Sequence, residues 1–307
     1  MPWRDRHAGR GPAAQHGAML TIPVSAAERA SGTLSRASLD VALTAMRDDG
    51  LVVLADAVDP AHVAALRGRL AAEVAAVLAR PDAPYNFTRA NIQQSPPREA
   101  ALLFRDVLCN DQAIAVTAAL LGPGMVATLY SGNVALAGST ERQPVHVDSG
   151  HLWPEDSGPT PPYAIVVNLP LVDMDAGNGA TELWPGSHRD CSQHRSMGLE
   201  VPAEVVARRR ASHPPLQPRV RAGSLLLRDL RLWHAGMPNP STAHRAMLAM
   251  VHAVAWLPPP EPFDFPLGSE ALIAHPRLRT PARFVSELPD HRLLDHAYGL
   301  PPGPSGA

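Results

Sequence analysis

The chain has 307 residues, 45% of them hydrophobic and 18% charged, so it can bury a sizeable core in one large domain or two small ones. A formal net charge of -2 gives no basic surface for nucleic acid or an anionic membrane. The two cysteines, Cys109 and Cys191, are too few for a disulfide framework or a zinc site built on Cys-x-x-Cys pairs.

The chain begins with a polar segment. Residues 1–20 are rich in Arg, His and Gly and lack an apolar signal core, so we expect a flexible arm ahead of one domain over 21–307. No apolar run reaches the roughly 18 to 20 residues that span a bilayer. We therefore expect a cytoplasmic protein with no membrane or nucleic-acid partner.

The first third of the domain, about residues 34–122, is predicted to be helical. Apolar residues recur at helical spacing from Leu34 to Met46, and Gly50 ends that helix. Asp59 and Pro60 form an N-cap and first turn for a second helix with one apolar face. The other segments are predicted as a buried strand at Leu51–Leu54, a loop or weak strand at Tyr85–Pro97, and helices at Glu99–Leu108 and Gln112–Leu121.

The pattern then changes to short β-type runs separated by Gly, Pro, Asn and Asp turns, which is typical of a jelly roll or barrel. We therefore predict a mainly β fold, with a core over about 126–256 on which the N-terminal helices pack. A C-terminal extension, 257–307, follows, and its part from Phe284 to Tyr298 could close over the core. The predicted elements of the core are strands at Val126–Leu136, Tyr163–Leu169, Leu225–Leu227 and Ala246–Trp256 and a surface helix at Val201–Arg210.

Three separated residues suggest a metal site. His146 and Asp148 are two positions apart, so on an extended backbone both side chains project to the same face. His234 lies between a strand-like run and a Gly-Met-Pro turn, which would place it at a strand end. Each feature alone is more often structural: a solvated strand-end histidine beside a turn aspartate, or a core histidine bonded to a carbonyl. Together they match the 2-His-1-carboxylate triad of Fe(II) oxygenases.

Arg245 lies eleven residues after His234, at the start of the next predicted strand. Its planar guanidinium can bind a carboxylate at two points. A keto acid that chelates iron needs such a partner for its far carboxylate. An ordinary surface arginine is the alternative, and the sequence alone does not separate the two.

Three segments resemble the phytanoyl-CoA dioxygenase family of Fe(II)/2-oxoglutarate-dependent oxygenases. The first is the Asp-Gly-Leu-Val-Val-Leu run that begins at Asp49 and continues to Val58-Asp59-Pro60. The second leads from the His-Val-Asp stretch to the Pro-Gly-Ser-His sequence that ends at His188. The third is Trp-His-Ala-Gly around His234, followed by Arg245. The resemblance covers about residues 40–256.

The resemblance implies a double-stranded β-helix (jelly-roll) core, with Fe(II) on His146, Asp148 and His234 and the far carboxylate of 2-oxoglutarate on Arg245. Relatives also carry an Asn or Gln before the His-x-Asp motif and an aromatic residue after it. These features make Asn133 and Trp153 candidate cosubstrate contacts. Several relatives have a serine two residues after the distal histidine, where this chain has Gly236, and Thr181 is a candidate replacement.

Halogenating relatives replace the carboxylate with Gly or Ala, so the retained Asp148 favours hydroxylation or another oxidation, and the choice among hydroxylation, desaturation, epoxidation and cyclisation stays open. The implied activity uses O2 and 2-oxoglutarate to hydroxylate an unactivated C–H of a small or medium-sized metabolite, with release of succinate and CO2. Two alternatives remain: a cupin-like metal-dependent isomerase or binding protein that needs no Arg245, and a catalytically silent relative. The substrate and the oligomeric state are not encoded in any pattern. Further candidates for the pocket wall are Asn86, Gln93, Gln94 and His151.

Overall fold

The computed structural model describes residues 19–153, 158–193 and 197–299. The predicted arm over 1–20 lies outside these residues except for Met19 and Leu20. Within the described ranges, no helix has both the length and the apolar character needed to cross a membrane.

The chain forms a mainly β structure with helices concentrated in its first third, as predicted. The described helices are α1 Ala26–Ser31, α2 Arg36–Asp48, α3 Pro60–Leu78, α4 Arg105–Leu108, α5 Asp111–Leu121, α6 Ala203–Ser212 and α7 Glu270–Ile273. The described strands are β1 Thr21–Pro23, β2 Leu51–Ala55, β3 Tyr85–Asn86, β4 Thr88–Gln93, β5 Met125–Ala135, β6 Ala164–Pro170, β7 Glu182–Leu183, β8 Leu225–Asp229, β9 His234–Ala235, β10 Arg245–Ala253, β11 Phe263–Pro266, β12 Leu278–Arg279 and β13 Ala282–Val285.

One large sheet and a short opposing layer make a jelly-roll core. Among the described residues the large sheet has nine strands in the order β1-β2-β8-β6-β10-β5-β4-β3, with β12 beside β5. Its centre, β8-β6-β10-β5, is antiparallel throughout. The opposing layer contains β7 and β9, with His146 bridged to His234 and Leu183 bridged to Leu216. The two layers enclose the space in which the candidate residues meet.

The N-terminal helices pack on the outside of the large sheet. Asp59 begins α3 as predicted, because its carboxylate accepts the backbone N–H of Ala61 at 2.7 Å. The apolar face of α3 is buried in the core, including Val63, Leu66 and Leu70. This arrangement leaves the inner face of the sheet free of helices.

The helix predicted at Glu99–Leu108 is wrong as a single element. It is a 3-10 turn, Ala100–Leu102, followed by α4. Leu103 and Phe104 between them are extended, and Leu103 is buried in the core. The break turns that side chain inward, which a continuous helix would not allow.

The segment predicted as a loop or weak strand is part of the large sheet. The strands β3 and β4 extend the sheet beyond β5, and Asn91 lies opposite Ala135. The C-terminal extension joins the same edge, since β12 pairs with β5 and Tyr298 bridges to Asn86. Near its end, the His291 ring lies 2.8 Å from the buried Glu73 carboxylate. The extension therefore closes one side of the core.

Strand alternation decides which residues face the inner space. The residues that line it are Leu129, Ser131 and Asn133 of β5, Met247, Ala249 and Val251 of β10, Val166 and Asn168 of β6, and Leu226 and Arg228 of β8. Their neighbours, such as Tyr130, Val167 and Leu227, pack in the hydrophobic core on the other face. The inner face thus combines apolar side chains with the polar Ser131, Asn133, Asn168 and Arg228.

Candidate metal centre

His146, Asp148 and His234 lie together at a cavity of about 360 Å³. One potential ligand atom from each residue lies within 4.8 Å of the others. His146 and His234 are brought together by two backbone hydrogen bonds of 2.9 Å, one in each direction. Among the described residues, this is the one group of three or more His, Cys, Asp or Glu side chains with the spacing of a metal site.

Both imidazoles are oriented by the backbone. Nδ1 of His146 lies 2.9 Å from the Pro144 carbonyl oxygen, and Nδ1 of His234 lies 3.0 Å from the Leu232 carbonyl oxygen. A carbonyl accepts only, so each Nδ1 carries a proton, which leaves Nε2 as the ring nitrogen that can bind a metal. Burial, followed by repulsion from His234, lowers the pKa of His146 to about 3. His146 is therefore held in the neutral form that binds metals.

Asp148 is held by an arginine that sequence reasoning did not connect to it. Nη2 of Arg228 donates to Oδ2 of Asp148 at 2.6 Å, while Oδ1 lies 3.5 Å from Nε2 of His234. Burial opposes ionisation of Asp148, but Arg228 and then His234 hold the pKa of its carboxyl well below the usual range. Arg228 lies opposite Val166, and the inward alternation of β8 was the signal that could have found it.

Arg245 is a fully buried cation with no anionic partner among the described residues. Its exposed fraction is 0%, and Nη2 donates to the Gly179 carbonyl oxygen at 2.8 Å. Nε and Nη1 are buried and make no hydrogen bond. Burial lowers the pKa of this guanidinium to about 10. Buried charges are ordinarily paired, so the unpaired donors of Arg245 indicate a binding site for an anionic group.

Asn91 is a second residue that sequence reasoning missed. It shares a row of the sheet with Ala135 and Arg245, two strand spacings of about 4.8 Å from the arginine. Both its Nδ2 and its Oδ1 are buried without a partner. Its polar surroundings predicted only a loop or weak strand, whereas its pairing with β5 turns it toward the inner face. Unsatisfied polar groups therefore cluster at the Arg245 end of the core.

The other cosubstrate candidates divide into two groups. Asn133 and Thr181 line the cavity. Trp153 does not: its exposed fraction is 48%, and its ring lies 6.4 Å from that of Trp256. Trp153 follows the His-x-Asp motif in sequence, but the loop carries it to the surface. The structure thus does not bring Trp153 to the site.

The weaker candidates for the pocket wall also divide. Asn86 and Gln93 line the cavity. Gln94 instead donates to the Leu70 carbonyl oxygen at 3.0 Å, and buried His151 lies beside Arg231. Neither Gln94 nor His151 is among the residues that line the cavity.

Gln143 fills the space beside Gly236. Its Oε1 accepts the Gly236 N–H at 2.7 Å. A Cβ atom added to Gly236 would lie 2.6 Å from Oε1 of Gln143 and 3.0 Å from Nδ2 of Asn91. A serine at position 236 would therefore force the Gln143 side chain, which lines the cavity here, to move and give up its hydrogen bond to Gly236.

Comparisons with known proteins agree with this architecture. Residues 46–247 match the family model described as phytanoyl-CoA dioxygenase (PhyH). The crystal structure of AviO1 from Streptomyces viridochromogenes Tue57 is similar over 74% of this chain and 99% of its own, with 24% identity and a TM-score of 0.55. EctD from S. alaskensis, in its apoform, is similar over 72% of this chain and 77% of its own, with 21% identity and a TM-score of 0.53. These two structures support the fold.

Proposed function

Because this chain belongs to the phytanoyl-CoA dioxygenase family of Fe(II)/2-oxoglutarate oxygenases, we propose that it hydroxylates an unactivated C–H of a small or medium-sized metabolite. The family supplies the oxygenase class and both cofactors, Fe(II) and 2-oxoglutarate. It also implies O2 and a small-molecule substrate as partners. The reaction would release succinate and CO2.

The observation that supports this proposal most directly is the cluster of His146, Asp148 and His234. Two imidazole Nε2 atoms and one carboxylate are the donor set of a facial Fe(II) site. All three side chains are oriented before any metal arrives, since the two rings donate to carbonyls and Arg228 holds the carboxylate. The donors present therefore fit Fe(II).

The residues at the Arg245 end fit the far carboxylate of 2-oxoglutarate. Nη1 of Arg245 is an unpaired donor, and with the second N–H of the neighbouring Nη2 it forms a guanidinium edge that can bind a carboxylate at two points. Nδ2 of Asn91 adds a neutral donor in the same row. Asn133 and Thr181 on the cavity wall are proposed to contact the rest of the cosubstrate. A cupin-like isomerase would have no use for this buried cation.

When bound, Fe(II) and 2-oxoglutarate supply O2 activation coupled to oxidative decarboxylation. The chain's own residues prepare the site for that chemistry. Apolar side chains on the wall, including Leu129, Val251 and Leu226, limit the water that can reach a reactive centre. The carboxylate of Asp148 occupies the position that a halide needs, so hydroxylation is favoured over halogenation.

The test is an anaerobic titration of the purified protein with Fe(II) and 2-oxoglutarate, followed by the visible charge-transfer band of the complex. We expect the band in the wild type and its loss in His146→Ala. The matched control is His252→Gln, which alters a buried histidine on the outer side of the sheet, where it contacts Thr117. The control should keep the band.

The reaction type needs a second measurement. We expect slow succinate release without substrate and, in a metabolite screen under O2, a product heavier by one oxygen atom. A folded, iron-loaded wild type without the band would refute the proposed cofactor chemistry. A band with desaturated or cyclised products would refute hydroxylation alone.

A further inference from the structure

The guanidinium of Arg228 is only partly used by the protein. Nη2 donates to Asp148, and Nε donates to Oδ1 of Asn168 at 3.1 Å. Nη1 is buried and has no hydrogen-bond partner among the described residues. One charged donor therefore lies on the cavity wall without an acceptor among the described residues.

Arg228 and Arg245 lie at opposite ends of the inner face. Arg228 is opposite Val166, which in turn is opposite Val251 on β10. Val251 is six residues from Arg245 on the same strand, a separation of about 20 Å at about 3.3 Å per residue. Arg228 contacts Asp148 at the metal cluster, whereas Arg245 lies at the other end of β10. The free donor of Arg228 can therefore contact a molecule at the metal cluster.

The charges around the cavity point to an anion. The negative charge of Asp148 balances the positive charge of one of the two arginines, Arg228 and Arg245. The two negative charges of 2-oxoglutarate balance the two positive charges of Fe(II). One positive charge remains, and Arg228 is the arginine that lines the cavity. Among the described residues, Asp148 is the only acidic residue that lines the cavity. A buried cation of this kind is stabilised by a single negative charge.

We propose that Arg228 binds a carboxylate of the substrate, so that the substrate of this enzyme is a small carboxylic acid. Nη1 of Arg228 would donate a charged hydrogen bond to that carboxylate, while Nε stays on Asn168. The inference rests on the proposed oxygenase function. The cavity of about 360 Å³ lies at the lower end of the range of about 300 to 1,000 Å³ for ligand pockets and must hold the cosubstrate too, which favours a small acid.

The site also orders the substrate relative to the metal centre. Nη1 and Nη2 belong to one guanidinium, and Nη2 already holds Asp148. A carboxylate on Nη1 is therefore fixed within a few ångströms of the metal cluster by a planar, rigid group. The carbon atoms next to that carboxylate are the ones that would lie nearest the cluster.

The test measures whether negative charge is recognised. The full-length protein is loaded anaerobically with Fe(II) and saturating 2-oxoglutarate, and the shift of the charge-transfer band reports probe binding. The probes are propanoate, hexanoate and benzoate, each compared with its primary amide, which has nearly the same shape and no charge. Binding is measured in the wild type, Arg228→Met and Arg228→Lys. The matched control is Arg142→Met, which removes an arginine paired with buried Glu182 outside the cavity.

We expect the wild type to bind at least one acid about 30-fold more tightly than its amide, which corresponds to about 2 kcal/mol at about 1.4 kcal/mol per tenfold. This ratio should fall to about one in Arg228→Met, be intermediate in Arg228→Lys and be unchanged in Arg142→Met. Equal binding of acids and amides by a wild type that shows the band overturns this inference alone. Weaker binding of both the acid and the amide by Arg228→Met, with the acid-to-amide ratio unchanged, also overturns it, since Arg228 would then only hold Asp148. A missing band removes the oxygenase function and this inference with it.

Discussion

Replacing Arg245 with methionine should leave the stability of the ligand-free protein nearly unchanged, although the side chain is fully buried. Burial lowers the pKa of Arg245 from 12.5 to about 10, and at about 1.36 kcal/mol per unit the charge costs the folded state about 3 kcal/mol at neutral pH. Because the folded pKa is the lower one, this cost is complete below about pH 10 and declines above it. Removing the charge recovers it.

The same substitution also loses a favourable contact. Arg245 donates to the Gly179 carbonyl oxygen, and a hydrogen bond from a charged group contributes about 1.5 to 3 kcal/mol. Gain and loss nearly cancel, so the free energy of unfolding should change by less than about 1.5 kcal/mol. Truncation of a buried apolar side chain, by comparison, costs about 2 to 5 kcal/mol.

Cosubstrate binding should respond very differently. If two N–H groups of the Arg245 guanidinium, Nη1 among them, donate to the far carboxylate of 2-oxoglutarate, their loss removes about 3 to 6 kcal/mol. Affinity should therefore fall at least about 100-fold. At a concentration 100 times the wild-type Kd, 2-oxoglutarate stabilises the wild type by about 2.7 kcal/mol. At that concentration Arg245→Met should gain less than about 0.5 kcal/mol.

The assay is anaerobic urea unfolding of the Fe(II)-loaded protein with and without 2-oxoglutarate. Arg231→Met is the matched control, because Arg231 and Asp229 form an ion pair of 2.7 Å in which each side chain is only 2% exposed. Its loss leaves a buried carboxylate unpaired and should cost about 3 to 5 kcal/mol, with the effect of 2-oxoglutarate retained. The reasoning fails if Arg245→Met is destabilised as much as Arg231→Met and still responds to 2-oxoglutarate.

Two further substitutions test the packing and the buried histidines. Gly236→Ser should lower the free energy of unfolding by about 1 to 3 kcal/mol, because its Cβ would meet Oε1 of Gln143. Adding Gln143→Ala to this variant should restore part of the loss. An unchanged melting temperature in Gly236→Ser would contradict this packing. Burial lowers the pKa of His252 to about 4, so unfolded protein takes up a proton there as the pH falls below 6.5, while folded protein does not until about pH 4. His252→Gln should therefore lose about 3 kcal/mol less stability than the wild type between pH 7.5 and pH 4, and equal acid losses in urea titrations would argue against a buried neutral imidazole.

Some features of this structure could be predicted because a short stretch of sequence is enough to determine them. Asp59 followed by Pro60 can cap and begin a helix, and the structure starts α3 there. The two-residue spacing of His146 and Asp148 puts both on one face of an extended segment, and the two meet at the cavity. In these cases the relevant contacts lie within a few residues of each other in the chain.

Other parts depend on partners that are distant in sequence. Nothing in the sequence indicated that Arg228 holds Asp148, because the two residues are 80 positions apart in the chain. Asn91 and its polar neighbours looked like a loop, since only pairing with β5 shows that the segment is a strand with an inward face. Trp153 was a candidate because it follows the His-x-Asp motif closely in the chain. A short distance in sequence, however, does not determine the path of a loop, and its side chain is 48% exposed.

The metal cluster itself depends on strand register. His146 and His234 come from segments 88 positions apart. A shift of one residue in either segment would turn its histidine out of the cavity. Gln143 and Gly236 oppose such a shift, because the Gln143 N–H donates to the Gly236 carbonyl at 2.9 Å and the Gln143 side chain accepts the Gly236 N–H. A larger residue at 236 would break the second bond. The glycine that departs from the pattern of several relatives therefore helps to align the two histidines.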